Sequence, residues 1–529
     1  MGARARGVRS FILGLVIIQS IVTYACSTPA LAKALGNYTS NGGKFSFQKS
    51  KLSFGRGKQN FFKFRPPYGY GKFKFGGGHF PSPPGQSLNV KTDFGARGDG
   101  ITDDQNAISA GLAAAKATGK ALFFPPGTYL HSGLLVADSA ALFGVGHNSV
   151  LVATGATGAV ELTGNNASIS LFAINGPSIA QSSGSDPSKA FADAVWIQSA
   201  NNFAVTQVTI NGSGYHGIDI VQSSNGSVTS SVIANIADLG IAIWDCYSVQ
   251  ILNNSVQNAG RTALYVSTLT NNGNGNLFIS NNAFVAPTTG PNQSITLTAV
   301  QNSSFTNNSC VGYCLIISNA SITAPVTGNL FISGNGISGV GGVLNSAIYV
   351  GYAIWPISSY RVDGVTISNN ILTDSQPGDL FGTTFISVQT AANVQIVSNS
   401  LNGTRGQGIV VNTCNNTVIH GNSISNLLLN GIGAIDSGQQ QNTGSMEISN
   451  NTLSNCSTFS ANPIIDVTNQ QVFQTPPPAY ASLAITNNVY TGPANQASYF
   501  IECTIPSSIP RTISGNVQTT TNLPNNIAP

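Results

Sequence analysis

Short apolar runs of period two recur along the C-terminal two thirds of the chain, each ended by an Asn-rich turn. VQILNNSV, LFISNNAF, SSFTNNSC, LFISGNGI, VTISNNIL, VQIVSNSL, TVIHGNSI, MEISNNTL and LAITNNVY are variants of one phrase. Their second Asn falls at positions 254, 282, 308, 335, 370, 399, 422, 451 and 488. A second family of runs lies between them: GIDIV, GIAIW, TALYV, AIYVG, FISVQ, GIVVN, GIGAI and IIDVT. Period two marks strands. A repeat of this length cannot bury its own apolar face, so successive repeats must stack. The pattern predicts an all-β fold, a right-handed parallel β-helix solenoid with coils about 4.8 Å apart. A propeller blade needs about 40–50 residues and four strands, longer than this period. The recurrent Asn is expected to stack as an amide ladder that satisfies buried backbone groups.

Upstream, the grammar changes. Asn89 to Phe94 reads as a strand and GARGDG as a turn. Thr102 or Asp103 is expected to cap a helix running to about Thr118, with Ala107, Ile108, Leu112 and Ala115 on one face. This helix would cover the N-terminal end of the solenoid, where unpaired strand edges invite aggregation. Residues 33–88 are rich in Gly, Phe, Lys and Pro without a sustained period and read as a flexible cationic segment. Residues 1–32 carry Arg4, Arg6 and Arg9, then an apolar run, then Ala30-Leu31-Ala32, the layout of a secretory signal peptide. The expected domains are therefore 1–32, 33–88 and a β-helix over 89–529, and the expected location is secreted, extracellular or periplasmic.

Charge sharpens this division. Residues 1–90 hold thirteen Lys or Arg and no acid, whereas residues 91–529 hold nine basic and all eighteen acidic residues. The cationic segment suits anionic cell-surface material. Export argues against nucleic acid as its partner, although interleaved aromatic and basic residues could stack on single strands. Beyond Cys26 there are six cysteines, at 246, 310, 314, 414, 456 and 503, an even number that permits disulfides but equally suits buried thiols. Cys310 and Cys314 lack a second ligand pair nearby, so zinc is not expected there. No carboxylate spacing resembles a calcium loop. No cofactor is expected, although stacked coils can gather distant carboxylates around Ca²⁺.

The opening of the folded part, VKTDFGARGDGITDDQNAI followed by ALFFPPGTY, resembles the first coil and cap of the pectate-lyase superfamily of β-helix proteins, and the Asn-rich repeats extend the resemblance to about residue 518. The superfamily includes polygalacturonases, rhamnogalacturonases, polysaccharide lyases, epimerase-like proteins and phage tailspikes. The resemblance implies a polysaccharide partner, and because related β-helices trimerise it leaves a homotrimer open. Residues 214–268 resemble the catalytic stretch of polygalacturonase-type hydrolases, where Asn-Thr-Asp-Gly-Ile-Asp, Asp-Asp and Gly-His-Gly open successive strands. Here His216 stands for the first family Asp, Asp238 alone remains of the pair, and Arg261 replaces the family His. The standard inverting hydrolase set is absent.

Aligning the strand phrases on Gly217, Gly240 and Thr262 places His216, Leu239 and Arg261 in one column, with Asp238 and Tyr215 one place earlier. His216 and Arg261 would then flank Asp238 from neighbouring coils. The pairing has two readings: as structure, Arg261 neutralises Asp238 and pins a turn; as chemistry, Arg261 binds a substrate carboxylate while Asp238 and His216 exchange protons with a sugar. Asp219 should point off the core onto the strand face, as a catalytic carboxylate or as a binder of substrate or a cation, with Trp244 as a sugar-stacking platform and Tyr215 as a further substrate-binding residue. Measured along a straight strand, Asp219 would lie ~13 Å from the column of Asp238, beyond the ~6.5–9.5 Å of an inverting pair. Taken with what the resemblance implies, these residues point to an exported glycoside hydrolase or lyase acting on uronic-acid-containing polysaccharide. The competing reading is a non-catalytic carbohydrate-binding or adhesive β-helix.

Overall fold

The computed structural model describes residues 87–527, except 178–191, 271, 288–293, 319–326, 340–345, 352–361, 375–383, 404–405, 437–442, 459–461, 470–479, 493–496, 506 and 520–522. All of these described residues belong to the second of the chain's two compact units, Gly76–Pro529. The expected signal peptide and nearly all of the cationic segment lie outside them. No helix among the described residues is long and apolar enough to cross a membrane.

The expected parallel β-helix is what the repeats build. Among the described residues, thirty-one short strands form one continuous bent sheet and fifteen form a second, each strand pairing with its counterpart one coil away. In the fifteen-strand sheet the register runs Ile197, Ile220, Ile243, Val266 and Leu297, all buried. Alternate residues thus fill one continuous core, and the intervening ones face outward.

The Asn ladder forms as the spacing predicts. From Asn254 through Asn282, Asn308, Asn335, Asn370, Asn399, Asn422, Asn451 and Asn488 to Asn516, each backbone N–H and each Nδ2 donates to the Oδ1 of the next Asn. Each Nδ2 also donates to a backbone carbonyl of the preceding coil, such as Val228 for Asn254 and Ile332 for Asn370. The residue before each ladder Asn takes a left-handed conformation, with φ of 57° at Asn253 and 55° at Asn369. Asn tolerates this turn, which explains the doubled Asn of the repeat.

Helix α1 (Gln105–Thr118) buries Ile108, Gly111, Leu112 and Ala115 and packs on the first strands, while Ala107 is half-buried. Its start differs from expectation. Asp104 occupies the cap position but turns its carboxylate to the backbone N–H groups of Arg97 and Gly98, at 2.7 and 2.9 Å. It fixes the preceding turn instead, and Asp103 accepts from the Gln105 N–H at 3.0 Å. All six cysteines after Cys26 are buried, and among the described residues none is joined to another in a disulfide.

Candidate functional site

Four consecutive strands of the fifteen-strand sheet carry the ionisable cluster: β1 (Val195–Asn201), β2 (Ile218–Val221), β3 (Leu239–Trp244) and β4 (Thr262–Ser267). Asp193, His216, Asp238 and Arg261 sit just before these strands, where the chain turns onto the sheet. The true register pairs Leu239 with Thr262 and Ile241 with Leu264. The expected alignment was therefore one residue out at the third phrase. Arg261 shares the column of Asp238 and Tyr215, not that of His216, and the Asp238 N–H donates to Tyr215 O and the Arg261 N–H to Asp238 O.

The flanking of Asp238 nevertheless occurs. Arg261 grips it bidentately, Nε to Oδ1 at 2.6 Å and Nη2 to Oδ2 at 2.8 Å, and His216 Nε2 lies 3.3 Å from Oδ2. The side chain of Asp238 is 19% exposed and that of Arg261 45%, so this end of the cluster meets solvent. Gly217 allows the close approach of the coils. A Cβ there would lie 2.6 Å from both the Gly240 carbonyl oxygen and Ile233 Cγ2.

Asp219 departs most from expectation. It points off the core as alternation requires, yet it is 1% exposed. Trp244 donates its indole N–H to Asp219 Oδ1 at 2.8 Å, and His216 Nδ1 lies 3.5 Å from Oδ2. His216 folds back from the turn and touches both Asp219 and Asp238, so distance along the strand misjudged their relation. Trp244 is half-buried over Asp219 and against Tyr265, with ring centroids 5.1 Å apart, rather than a bare platform. Tyr215 is half-buried with its ring stacked on the imidazole of His216, centroids 3.9 Å apart. Arg261 lies over the Tyr265 ring at 5.7 Å.

Sequence reasoning missed Asp193. Its Oδ1 accepts from the His216 backbone N–H at 2.9 Å and lies 3.6 Å from His216 Nδ1. The signal was present. VWIQ aligns with IDIV, two residues after Asp193, as IDIV follows His216. Extending the repeat one coil toward the N-terminus would have placed Asp193 beside His216. That step also reveals an outward column of Glu161, Trp196, Asp219, Ala242 and Tyr265.

Burial pushes the Asp193 carboxyl well above the usual carboxylate range, against the pull of His216. Burial alone would lower His216, but the Asp219 and Asp238 carboxylates outweigh it and raise the imidazole to about 10. For Asp238 the cost of burial is outweighed by His216 and Arg261, which hold it below the ordinary value. Asp193, His216 and Asp219 each offer one ligand atom within 4.8 Å of the others, a set that could hold a metal ion.

Residues 87–314 match a protein family described as rhamnogalacturonase A/epimerase, pectate lyase-like. No curated protein matches the chain. Among solved structures, the pre-mature bacteriophage phi29 gene product 12 is 18% identical over 82% of this chain and 56% of its own, with a TM-score of 0.52. The chain thus spans little more than half of that phage protein. DFA-IIIase from Arthrobacter chlorophenolicus A6, solved without its lid, is 14% identical over 64% of this chain and 94% of its own, with a TM-score of 0.50. At such identities the likeness extends to the fold alone.

Proposed function

We propose that this pectate-lyase-like parallel β-helix is an exported protein acting on uronic-acid-containing polysaccharide at the outward face of its fifteen-strand sheet. The observation that carries the reading is the Asp238–Arg261 pair. A partly exposed carboxylate is held in fixed geometry by a guanidinium, beside the half-buried rings of Tyr215, Trp244 and Tyr265. Arg261 spends Nε and Nη2 on Asp238 and keeps its remaining N–H donors for a substrate carboxylate.

Within the cluster, this arrangement favours chemistry that begins beside the sugar carboxylate. Hydrolysis needs two carboxyl groups that both reach the scissile bond. Asp193 and Asp219 are each 1% exposed and stand behind His216. Elimination needs one base and a cation on the carboxylate. In that step Asp238 takes the C5 proton, the C4–O4 bond breaks, a C4–C5 double bond forms, and O4 receives a proton from Tyr215 or water. Return of a proton to C5 from the opposite face, without bond cleavage, would give epimerisation from the same start.

The test is incubation of the purified protein with polygalacturonate, rhamnogalacturonan and alginate, following reducing ends and ultraviolet absorbance of unsaturated uronates together, with NMR for epimerised products. Both signals rising together are expected, and D238N should lower the rate by about 10²–10⁴-fold while binding persists. Reducing ends without absorbance would replace elimination by hydrolysis. Binding without any product would replace catalysis by carbohydrate binding or adhesion.

A further inference from the structure

Behind Asp238, the buried half of the cluster has a geometry that proton exchange with a sugar does not use. His216 Nδ1 stands 3.6 Å from Asp193 Oδ1 and 3.5 Å from Asp219 Oδ2. Charge-assisted N–H···O bonds close to about 2.7–2.9 Å. Among the described residues, neither ring nitrogen of His216 makes an aligned hydrogen bond, and Asp193 Oδ2 is buried without a partner. The indole N–H of Trp196, stacked one coil from Asp219, is likewise buried with no acceptor among the described residues. Unpaired polar atoms in this number are costly unless something sits among them.

The distances that are too long for hydrogen bonds suit ligands of a common ion. At metal–ligand bonds of about 2.0–2.2 Å, two ligands of a tetrahedral ion lie about 3.3–3.6 Å apart. The groups around the three residues also fit. His216 turns Nε2 toward Asp238 Oδ2 at 3.3 Å, and a ligating imidazole characteristically directs its second nitrogen to a carboxylate. Asp219 directs Oδ2 inward while Trp244 holds Oδ1, and the His216 backbone N–H holds Asp193.

We propose that Asp193, His216 Nδ1 and Asp219 form a buried site for one divalent first-row transition ion, Zn²⁺ or Mn²⁺, with Asp238 and Trp244 as its outer supports. One imidazole with two carboxylates suits these ions, whereas Ca²⁺ and Mg²⁺ take oxygen ligands. Three protein ligands leave room for a bound water. The alternative occupant of the same space is a proton on Nδ1, with His216 as a buried imidazolium between the carboxylates. The inference stands on the buried residues and does not rest on any sugar being a substrate.

The experiment uses the full chain, stripped with a chelator, dialysed against Zn²⁺, Mn²⁺ or Ca²⁺ separately, and measured for bound metal by mass spectrometry. One Zn²⁺ or Mn²⁺ per chain is expected at micromolar free ion, with a rise in thermal midpoint. D219N should weaken binding at least 100-fold, and D238N by about 10–100-fold through the imidazole. D363N, remote from the cluster, should bind as the parent does. Absence of stoichiometric Zn²⁺ and Mn²⁺ in the folded parent overturns the proposal, with no variant needed. Equal binding by D219N, or binding of Ca²⁺ alone, overturns it as well.

Discussion

Asn370 tests what holds one coil to the next. Its side chain is fully buried in the ladder. Its Oδ1 accepts from the backbone N–H and the Nδ2 of Asn335, at 3.0 and 2.9 Å, and its Nδ2 donates to Ile332 O and Asn399 Oδ1. In N370A the Asn335 N–H loses its acceptor in a site closed to water, which costs about 1–3 kcal/mol. Three further side-chain bonds disappear at roughly 1 kcal/mol each, partly offset where a partner keeps a second bond, as Asn335 Nδ2 does with Phe305 O. The expected loss is about 3–5 kcal/mol. The matched control is Asn402, an exposed Asn whose Oδ1 accepts from Ser425 and Asn426 at the surface. N402A exchanges those bonds for water and should stay within about 0.5 kcal/mol. Urea unfolding followed by circular dichroism measures both. If N370A loses no more than N402A, the ladder does not hold the coils together and the reasoning fails.

Two further perturbations probe the same stacking. Asp466 is buried, with Glu502 on the next coil, and burial followed by that neighbour raises its carboxyl to about 6 from 3.8. A raised carboxyl favours the neutral form in the fold, so its contribution is present below about pH 4 and lost as pH rises through about 6. The change is on the order of 3 kcal/mol. Urea titrations across that window should show D466N gaining over the parent as pH rises, and a parallel pair of profiles would count against the assignment. At Gly217 an added Cβ must displace the Gly240 carbonyl, so G217A should cost about 1–3 kcal/mol in thermal unfolding. G336A, where a Cβ meets nothing within 4 Å, should be near neutral, and equal effects would remove the close-approach argument.

The solenoid and its ladder were legible because both depend on period alone. A doubled Asn once per coil fixes a left-handed turn and a stacked amide, and neither requires knowledge of distant parts of the chain. The site was legible only in outline. Aligning phrases on their first small residue placed Thr262 opposite Gly240, and a one-residue error moved Arg261 into the wrong column. Alternation correctly set Asp219 on the outer side of the sheet. It could not reveal that Trp244 from the next coil and His216 from the turn close over it. Which side of a strand a residue faces is local information, whereas what covers that side depends on side chains three to twenty-five positions away.

The choice of residues argues that the cluster is more than a staple. Along the ladder from Asn254 to Asn516 this protein joins its coils with neutral amides, which satisfy one another without any cost of burying charge. Between Asp193 and Arg261 it instead places three carboxylates, an imidazole and a guanidinium on successive coils, in a chain only 8% charged. Burying such groups recovers at best what their pairing returns, and a well-packed apolar or amide substitute is often as stable or more so. A turn that needed only pinning could have used another Asn. The gradation of exposure, from 1% at Asp193 and Asp219 through 19% at Asp238 to 45% at Arg261, sets a concealed cluster of ionisable groups behind an accessible ion pair. The proposed cation site behind and the proposed carboxylate contact in front are two uses for which charge is required and amides would not serve.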